Sequence, residues 1–260
     1  MKFASLGSGS EGNALLISAG SGATSTTVML DCGFGLREVE KRLSRLRITP
    51  DEIAAIVVTH EHQDHVGGVF KLARRYRIPV WMSNGTYQAV QASADGVTLH
   101  LCRDGERLAI GDLEFLPYTV PHDAREPLQY VASDGVHKLG VLTDAGHATA
   151  YLIEALGGCN ALVLECNHDK RMLAESTYPP SLKKRIGGPL GHLSNQTSAE
   201  ILAAIDKQRL RIVVGAHLSK QNNTPALAQA ALSSVLDAGR VELSMACQER
   251  GFTWLDIRGS

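Results

Sequence analysis

Cysteine is sparse in this 260-residue chain, and its five cysteines include no Cys-x-x-Cys pair. Odd in number and widely spaced, Cys32, Cys102, Cys159, Cys166 and Cys247 exclude a disulfide framework and read as reduced thiols, Cys32 as a small core residue. Aromatic residues make up only 5% of the chain, too few for extensive base stacking and hence for a dedicated single-strand binder. A formal net charge of −1 excludes a globally basic surface, so any polyanion must be met by a local patch. No apolar run approaches the roughly 20 residues of a membrane span, and Met1 to Leu6 carries no signal-peptide core, so a cytoplasmic protein without membrane contact is expected. Linkers, repeats and low-complexity tracts are absent too, which leaves residues 1–260 as one expected domain.

Histidine, by contrast, is concentrated. Thr59-His60-Glu61-His62-Gln63-Asp64-His65 packs three imidazoles and the Asp64 carboxylate between the apolar, β-branched run 54–59, which reads as a buried strand, and a helical pattern at 66–77. On an extended segment His60 and His62 point the same way and can reach one ion, while Asp64 and His65 lie past the bend and can face a second. Imidazole with carboxylate suits zinc, iron or manganese better than calcium. Four donors cannot fill two shells, and three more possible ligands end apolar strands downstream: His122 after 114–121, Asp144 after 138–143 and His217 after 211–216.

Strands at about 2–6, 13–19 and 26–31 and helices at about 36–47, 84–94, 148–156, 195–207 and 224–238 complete the reading. Periodicity alone says only α/β or α+β. The basic side chains of helix 36–47, among them Arg37, Lys41, Arg42 and Arg45, read as a solvated face or as a minor polyanion contact.

His60-x-His62-x-Asp64-His65, followed by His122, Asp144 and His217, resembles the signature of the metallo-β-lactamase superfamily over nearly the whole chain. The resemblance implies an α+β fold, the αββα four-layer sandwich of two mixed sheets flanked by helices. It implies one ion on His60, His62 and His122, a second on Asp64, His65 and His217, and Asp144 bridging both. Asp31 matches an earlier aspartate that usually orients the histidine ligands. Only 73 positions separate Asp144 from His217, too few for the insertion of the β-CASP nucleases.

The fold hosts many hydrolytic reactions, so substrate must come from other motifs. Gly7-Ser8-Gly9-Ser10-Glu11-Gly12-Asn13 is a turn whose glycines would let successive N–H groups form an anion nest, or else a plain hairpin loop. Gly191-His192-Leu193-Ser194-Asn195 places His192 before a helix capped by Ser194 or Asn195. With Glu165-Cys166-Asn167-His168-Asp169, His122-Asp123 and His217 to Asn223, these segments make the chain similar to the YycJ/WalJ (VicX) type of hydrolase. That resemblance implies a 5′→3′ exonuclease on double-stranded DNA, linked to repair, with two divalent ions, Mn2+ or Zn2+ and alternatively Fe2+.

In that chemistry Asp64 orients the attacking water and His192 donates to a phosphoryl or leaving oxygen. Ser8, Ser10, Asn13, His168, Asn195, Ser219 and Asn222 are the candidate substrate contacts, Ser8 and Ser10 for a terminal phosphate. The stretch Arg171 to Arg185, with Lys183 and Lys184 among prolines and glycines, reads as a flexible basic arm beside the site or as solvated loop charge. His100, His137 and His147 stand outside the pattern. A small-molecule phosphodiesterase acting on cyclic phosphates, a thioester or lactone hydrolase and a non-catalytic metal-bound regulator are the rival readings.

Overall fold

Strand-forming runs recur along the sequence, and the first six strands build one sheet while the next seven build another. A computed structural model describes residues 1–20, 22, 24–237 and 239–258. In the first sheet β1 (Lys2–Gly7), β2 (Ala14–Gly20), β3 (Ser25–Leu30), β4 (Ile53–Val57), β5 (Val80–Ser83) and β6 (Leu99–Cys102) lie in sequence order. The second holds β7 (Leu108–Ile110), β8 (Leu113–Thr119), β9 (Leu128–Ser133), β10 (Lys138–Leu142), β11 (Ala161–Glu165), β12 (Ile212–Ala216) and β13 (Glu242–Met245), while β14 (Phe252–Asp256) returns to pair with β1. Each sheet is mixed: β3 to β6 and β10 to β13 run parallel, and the remaining pairs are antiparallel.

The period-two alternation of side chains builds the layers. Val28 and Leu30 of β3 and Ala55 and Val57 of β4 meet Phe115, Tyr130, Val141 and Val163 in a core between the sheets. Met29 and Ile56, one residue out of phase, face a second core with Val39 and Leu43 of α1 (Leu36–Arg45) and Val69 and Leu72 of α3 (Val69–Tyr76), the helix after α2 (Gln63–Val66). A third core joins Leu142, Leu164 and Val213 to Leu152 of α5 (Ala150–Leu156), Ile201 and Leu202 of α8 (Asn195–Ala204) and Leu232 of α9 (Pro225–Ser233). Three cores between four layers make the αββα sandwich. No helix among the described residues is long and apolar enough to cross a membrane.

Several boundaries differ from the sequence reading. The helix expected over 66–77 begins at Val69, because Gly67 and Gly68 separate it from the short α2 and pass close to the 32–34 loop. A Cβ at Gly68 would stand 1.8 Å from the Phe34 carbonyl oxygen, so only glycine fits. Helix 36–47 stops at Arg45, where Arg47 turns to φ 58°. The helix over 84–94 becomes α4 (Asn84–Val90) and a 3-10 turn, and the span expected to 238 ends at Ser233, residue 238 lying outside the described residues. The flexible arm expected over 171–185 folds instead into α6 (Lys170–Glu175), capped by Asp169, and α7 (Pro180–Ile186), begun by the proline pair that had suggested a loop. Two arginines of α1 are structural: Arg42 donates to the carbonyls of Leu6 and Gln248, and Arg45 to those of Leu6 and Glu249.

Burial pushes the Cys32, Cys159 and Cys166 thiols up to about 12 and also raises Cys102, while Cys247 is the half-buried one. A thiol-specific disulfide reagent is therefore expected to titrate one cysteine in the native protein and all five in denaturant; rapid native reaction of two or more would contradict this packing.

Candidate metal centre

Parallel strands deliver their C-terminal ends to one edge of a sheet, and that edge carries the polar cluster. Asp31 and His60 follow β3 and β4 in the first sheet. Asp144, Glu165 and His217 follow or end β10, β11 and β12 in the second. His62, Asp64 and His65 lie on the turn at α2, and His122 follows β8. Asp31 (φ 60°), Asp144 (φ 75°) and His217 (φ 55°) adopt the left-handed backbone region, a conformation that costs a non-glycine residue about 1–3 kcal/mol. Each bends the chain sharply at a strand end, where the side chain joins the cluster.

The second layer of contacts determines which ring nitrogen faces the centre. Asp31 accepts the Thr59 amide at 2.8 Å, the Thr59 hydroxyl at 2.8 Å and His65 Nδ1–H at 2.8 Å. Thr59 Oγ1 in turn accepts from His60 Nδ1 at 2.9 Å. Gly191 O accepts from His122 Nδ1 at 3.0 Å. With Nδ1 engaged in this way, His60, His65 and His122 all turn Nε2 inward, with a lone pair on His60 and His122; on His65 burial opposes charge, but Asp144, Asp31 and Asp64 hold the imidazole protonated in the metal-free protein.

Those inward atoms meet other acceptors. His122 Nε2 lies 3.2 Å from His62 Nδ1. His65 Nε2 lies 2.9 Å from Asp144 Oδ2, yet that oxygen makes no aligned hydrogen bond, and His60 Nε2, fully buried, has no partner either. His217 Nε2 stands 3.3 Å from Asp64 Oδ2 and 3.6 Å from Asp144 Oδ1. Tetrahedral ligands at 2.0–2.1 Å from zinc are about 3.3 Å apart, so these spacings fit donors gathered around a cation. His60, His62 and His122 form one group able to hold an ion, and Asp64, His65 and His217 another. Asp144 falls in groups with His60 and His65 and with His192 and His217.

Electrostatics agree. Burial opposes ionisation of Asp64 and Asp144, but the His65 and His217 imidazoles hold both carboxyls far below the usual range. Burial, with the charge of His65 beside it, keeps His60 well below 6.5 and therefore neutral, as a ligand must be.

His192 lies at the edge of the cluster, its Nδ1 2.8 Å from Glu165 Oε1 and 3.1 Å from Asp144 Oδ1. Burial opposes its charge, yet these carboxylates push it up to about 10. Glu165 is completely buried and was given no role from sequence. Its Oε2 accepts the amides of Asp144 (3.0 Å) and Ala145 (2.9 Å), so one carboxylate holds both the Asp144 turn and the His192 ring. Its position closing an apolar strand is the signal that could have marked it.

Above the cluster opens a cavity of 360 Å³, walled by Ser10, Asp64, Asp144, His192 and His217 and roofed by Leu182, Arg185 and Ile186 of α7. Of the seven residues assigned from sequence to substrate contact, Ser10 is on this wall. The other six are buried: the side chains of Ser8, Asn13, Asn195 and Ser219 serve the turns behind it, whereas the Asn222 side-chain amide and His168 Nδ1 have no hydrogen-bond partner and these two residues bond only through their backbone. Ser8 Oγ accepts the His217 amide, and Asn13 bonds the Gly9 backbone and reaches Asp64 and His65. Asn195 pairs with Asn223, Ser219 Oγ accepts the Asn222 amide, and the Asn222 carbonyl accepts from Asp169. His168, lowered to about 4 by burial and the charge of His192, bridges to Ser194. Short polar side chains in glycine-rich turns satisfy backbone groups there, a demand that competes with ligand binding for the same residue types. His100 stacks on Trp81, His137 pairs with Asp134 and His147 bonds Pro189 O, all outside the cluster.

A family model for a beta-lactamase superfamily domain matches residues 26–217. The chain belongs to the metallo-β-lactamase superfamily. It is 32% identical to exodeoxyribonuclease YycJ of Bacillus anthracis over 240 residues, 91% of this chain and 89% of that protein. Similarity to exodeoxyribonuclease WalJ of Streptococcus pneumoniae is 31% over 232 residues, 87% of this chain and 85% of that one. The metallo-beta-lactamase fold protein YhfI of Bacillus subtilis shares the fold at a TM-score of 0.74 and 15% identity, covering 98% of this chain and 99% of that one. This superfamily member is thus a metal-dependent hydrolase of the YycJ/WalJ type, and its donor cluster and relatives support a metal-dependent nuclease or phosphodiesterase.

The raised His192 gives a pH signature in the metal-free protein. Its charge contributes stability in full below its ordinary value near 6.5, and that contribution is lost as pH rises through about 10. The Tm difference between wild type and Glu165→Gln is accordingly expected to be widest below pH 6.5 and to narrow towards pH 10; a difference constant across that range would contradict the pairing.

Proposed function

We propose that this protein is a two-metal 5′→3′ exonuclease acting on double-stranded DNA, with a role in DNA repair. The observation that carries the reading is the set of buried, unpartnered donors at the floor of a cavity roofed by α7. His60, His62 and His122 would hold one divalent ion and Asp64, His65 and His217 a second, with Asp144 the ligand the two would share; Mn2+ or Zn2+ would be the working metal and Fe2+ the alternative. Bound there, the ions lower the pKa of water and neutralise charge on the non-bridging oxygens of a phosphodiester.

The side chains supply the rest. Asp64, half-buried and held ionised, orients the attacking water and accepts its hydrogen bond. His192 keeps its proton because Glu165 and Asp144 hold Nδ1, and it presents Nε2 to the oxygen that leaves as the 3′-hydroxyl of the released nucleotide. Ser10, exposed on the wall, meets the terminal phosphate. A roofed cavity of 360 Å³ suits the end of one strand better than the middle of a duplex. That size equally favours a small cyclic or linear phosphodiester, which is the second reading.

Linear duplex DNA labelled at either the 5′ or the 3′ end separates the two. In manganese, early release of labelled 5′ mononucleotides is expected, with Asp64→Ala slower by at least about a hundredfold. No release in manganese or zinc, together with turnover of a cyclic dinucleotide, would establish the second reading instead. Elemental analysis is expected to find two divalent ions per wild-type chain and fewer than one in Asp144→Ala; two ions retained by that variant would remove Asp144 from the ligand set.

A further inference from the structure

Helix α7 turns Leu182, Arg185 and Ile186, at positions i, i+3 and i+4, towards the cavity. Among the described residues Arg185 is the one lysine or arginine on a wall that otherwise carries the carboxylates of Asp64, Asp123 and Asp144. Its Nε donates to Asp123 Oδ2 at 2.6 Å, its side chain is 60% exposed, and its Nη groups make no hydrogen bond to another described residue. The other oxygen of Asp123 lies 3.7 Å from His62 Nε2 and 3.6 Å from His122 Nε2. One carboxylate therefore separates the guanidinium from two of the metal-site histidines.

An ion pair this exposed contributes little to stability, so holding the fold does not explain an arginine here. The helix that carries it is nonetheless tied firmly to the site. The His192 amide donates to Ile186 O at 2.8 Å, the Asp123 amide to Leu190 O at 3.0 Å, and Gly191 links the end of α7 to His122 through its carbonyl. A Cβ on Gly191 would stand 2.1 Å from Arg185 O, so the roof closes as far as the backbone allows. The neighbouring lysines point elsewhere: Lys183 bonds Ala174 O on α6, and Lys184 is exposed and off the wall.

We propose that Arg185 is a phosphate-binding residue, which grips a backbone phosphate of the strand entering the cavity through its free Nη groups and exchanges Asp123 for that phosphate. Leu182 and Ile186 beside it offer the apolar surface for the sugar or base of the same nucleotide. The inference rests on the nuclease reading above and adds to it the contact that favours a polyanion over a neutral ester.

Arg185→Gln, Arg185→Lys and Lys184→Gln, each loaded with manganese, would be assayed on labelled duplex DNA across a series of salt concentrations. For Arg185→Gln the KM for DNA is expected to rise roughly tenfold with kcat within about threefold, because a contact made equally in ground and transition states is lost. The slope of log affinity against log salt is expected to fall by about 0.9, the share of one phosphate contact, with partial recovery in Arg185→Lys and little change in Lys184→Gln. A purely structural role would lower kcat, Tm or metal content and leave the salt slope alone. Wild-type KM and slope in Arg185→Gln, or equal effects of Arg185→Gln and Lys184→Gln, would overturn the proposal while the nuclease reading stands. A wild type that neither cuts nor binds DNA would overturn both.

Discussion

The burial of the Asp144 carboxylate is the constraint on which this structure depends. A buried anion demands a compensating positive charge, and here Asp31, Asp64 and Glu165 crowd into the same region and multiply that demand. Protons on His65, His192 and His217 meet part of it, and divalent cations would meet it more completely because each replaces a proton shared between two acceptors. The unpartnered Nε2 of His60 and Oδ2 of Asp144 are the residue of that imbalance. The capacity to hold metal thus has a plain origin: a site with too many acceptors for its own donors.

The sandwich serves this arrangement by bringing both sheets to the same edge. Parallel pairing aligns the ends of β10, β11 and β12, so residues far apart in sequence arrive side by side without long loops. Left-handed turns at Asp31, Asp144 and His217 then complete what pairing alone would leave pointing along the strands. The three cores behind them hold these turns against their conformational cost, and buried Ser8, Asn13 and Glu165 satisfy the amides that the turns expose.

Much of the metal cluster was legible because its signal is local: three histidines and an aspartate within six residues need no tertiary information, and His122, Asp144 and His217 each end a recognisable apolar strand. The αββα layering was legible only through family resemblance, since periodicity cannot tell which sheet a strand joins. Glu165 and Asp123 stood within recognised motifs, but their roles were hidden for a related reason. They acquire meaning from partners 20 and 62 positions away, which no spacing rule connects. Prolines 179 and 180 misled in the opposite direction, suggesting a loop where they start α7, and in the polar turns Ser8, Asn13 and Ser219 use their side chains to bond backbone groups.

Each of the two donor groups draws on both sheets. His60 and His62 must wait for His122, and Asp64 and His65 for His217, which stands 43 residues from the end of the chain. Neither donor group can therefore be complete before the second sheet has docked on the first. Metal occupancy is in this way a report on the docking of the two sheets: a chain in which they have separated keeps fragments of each donor group and neither group whole.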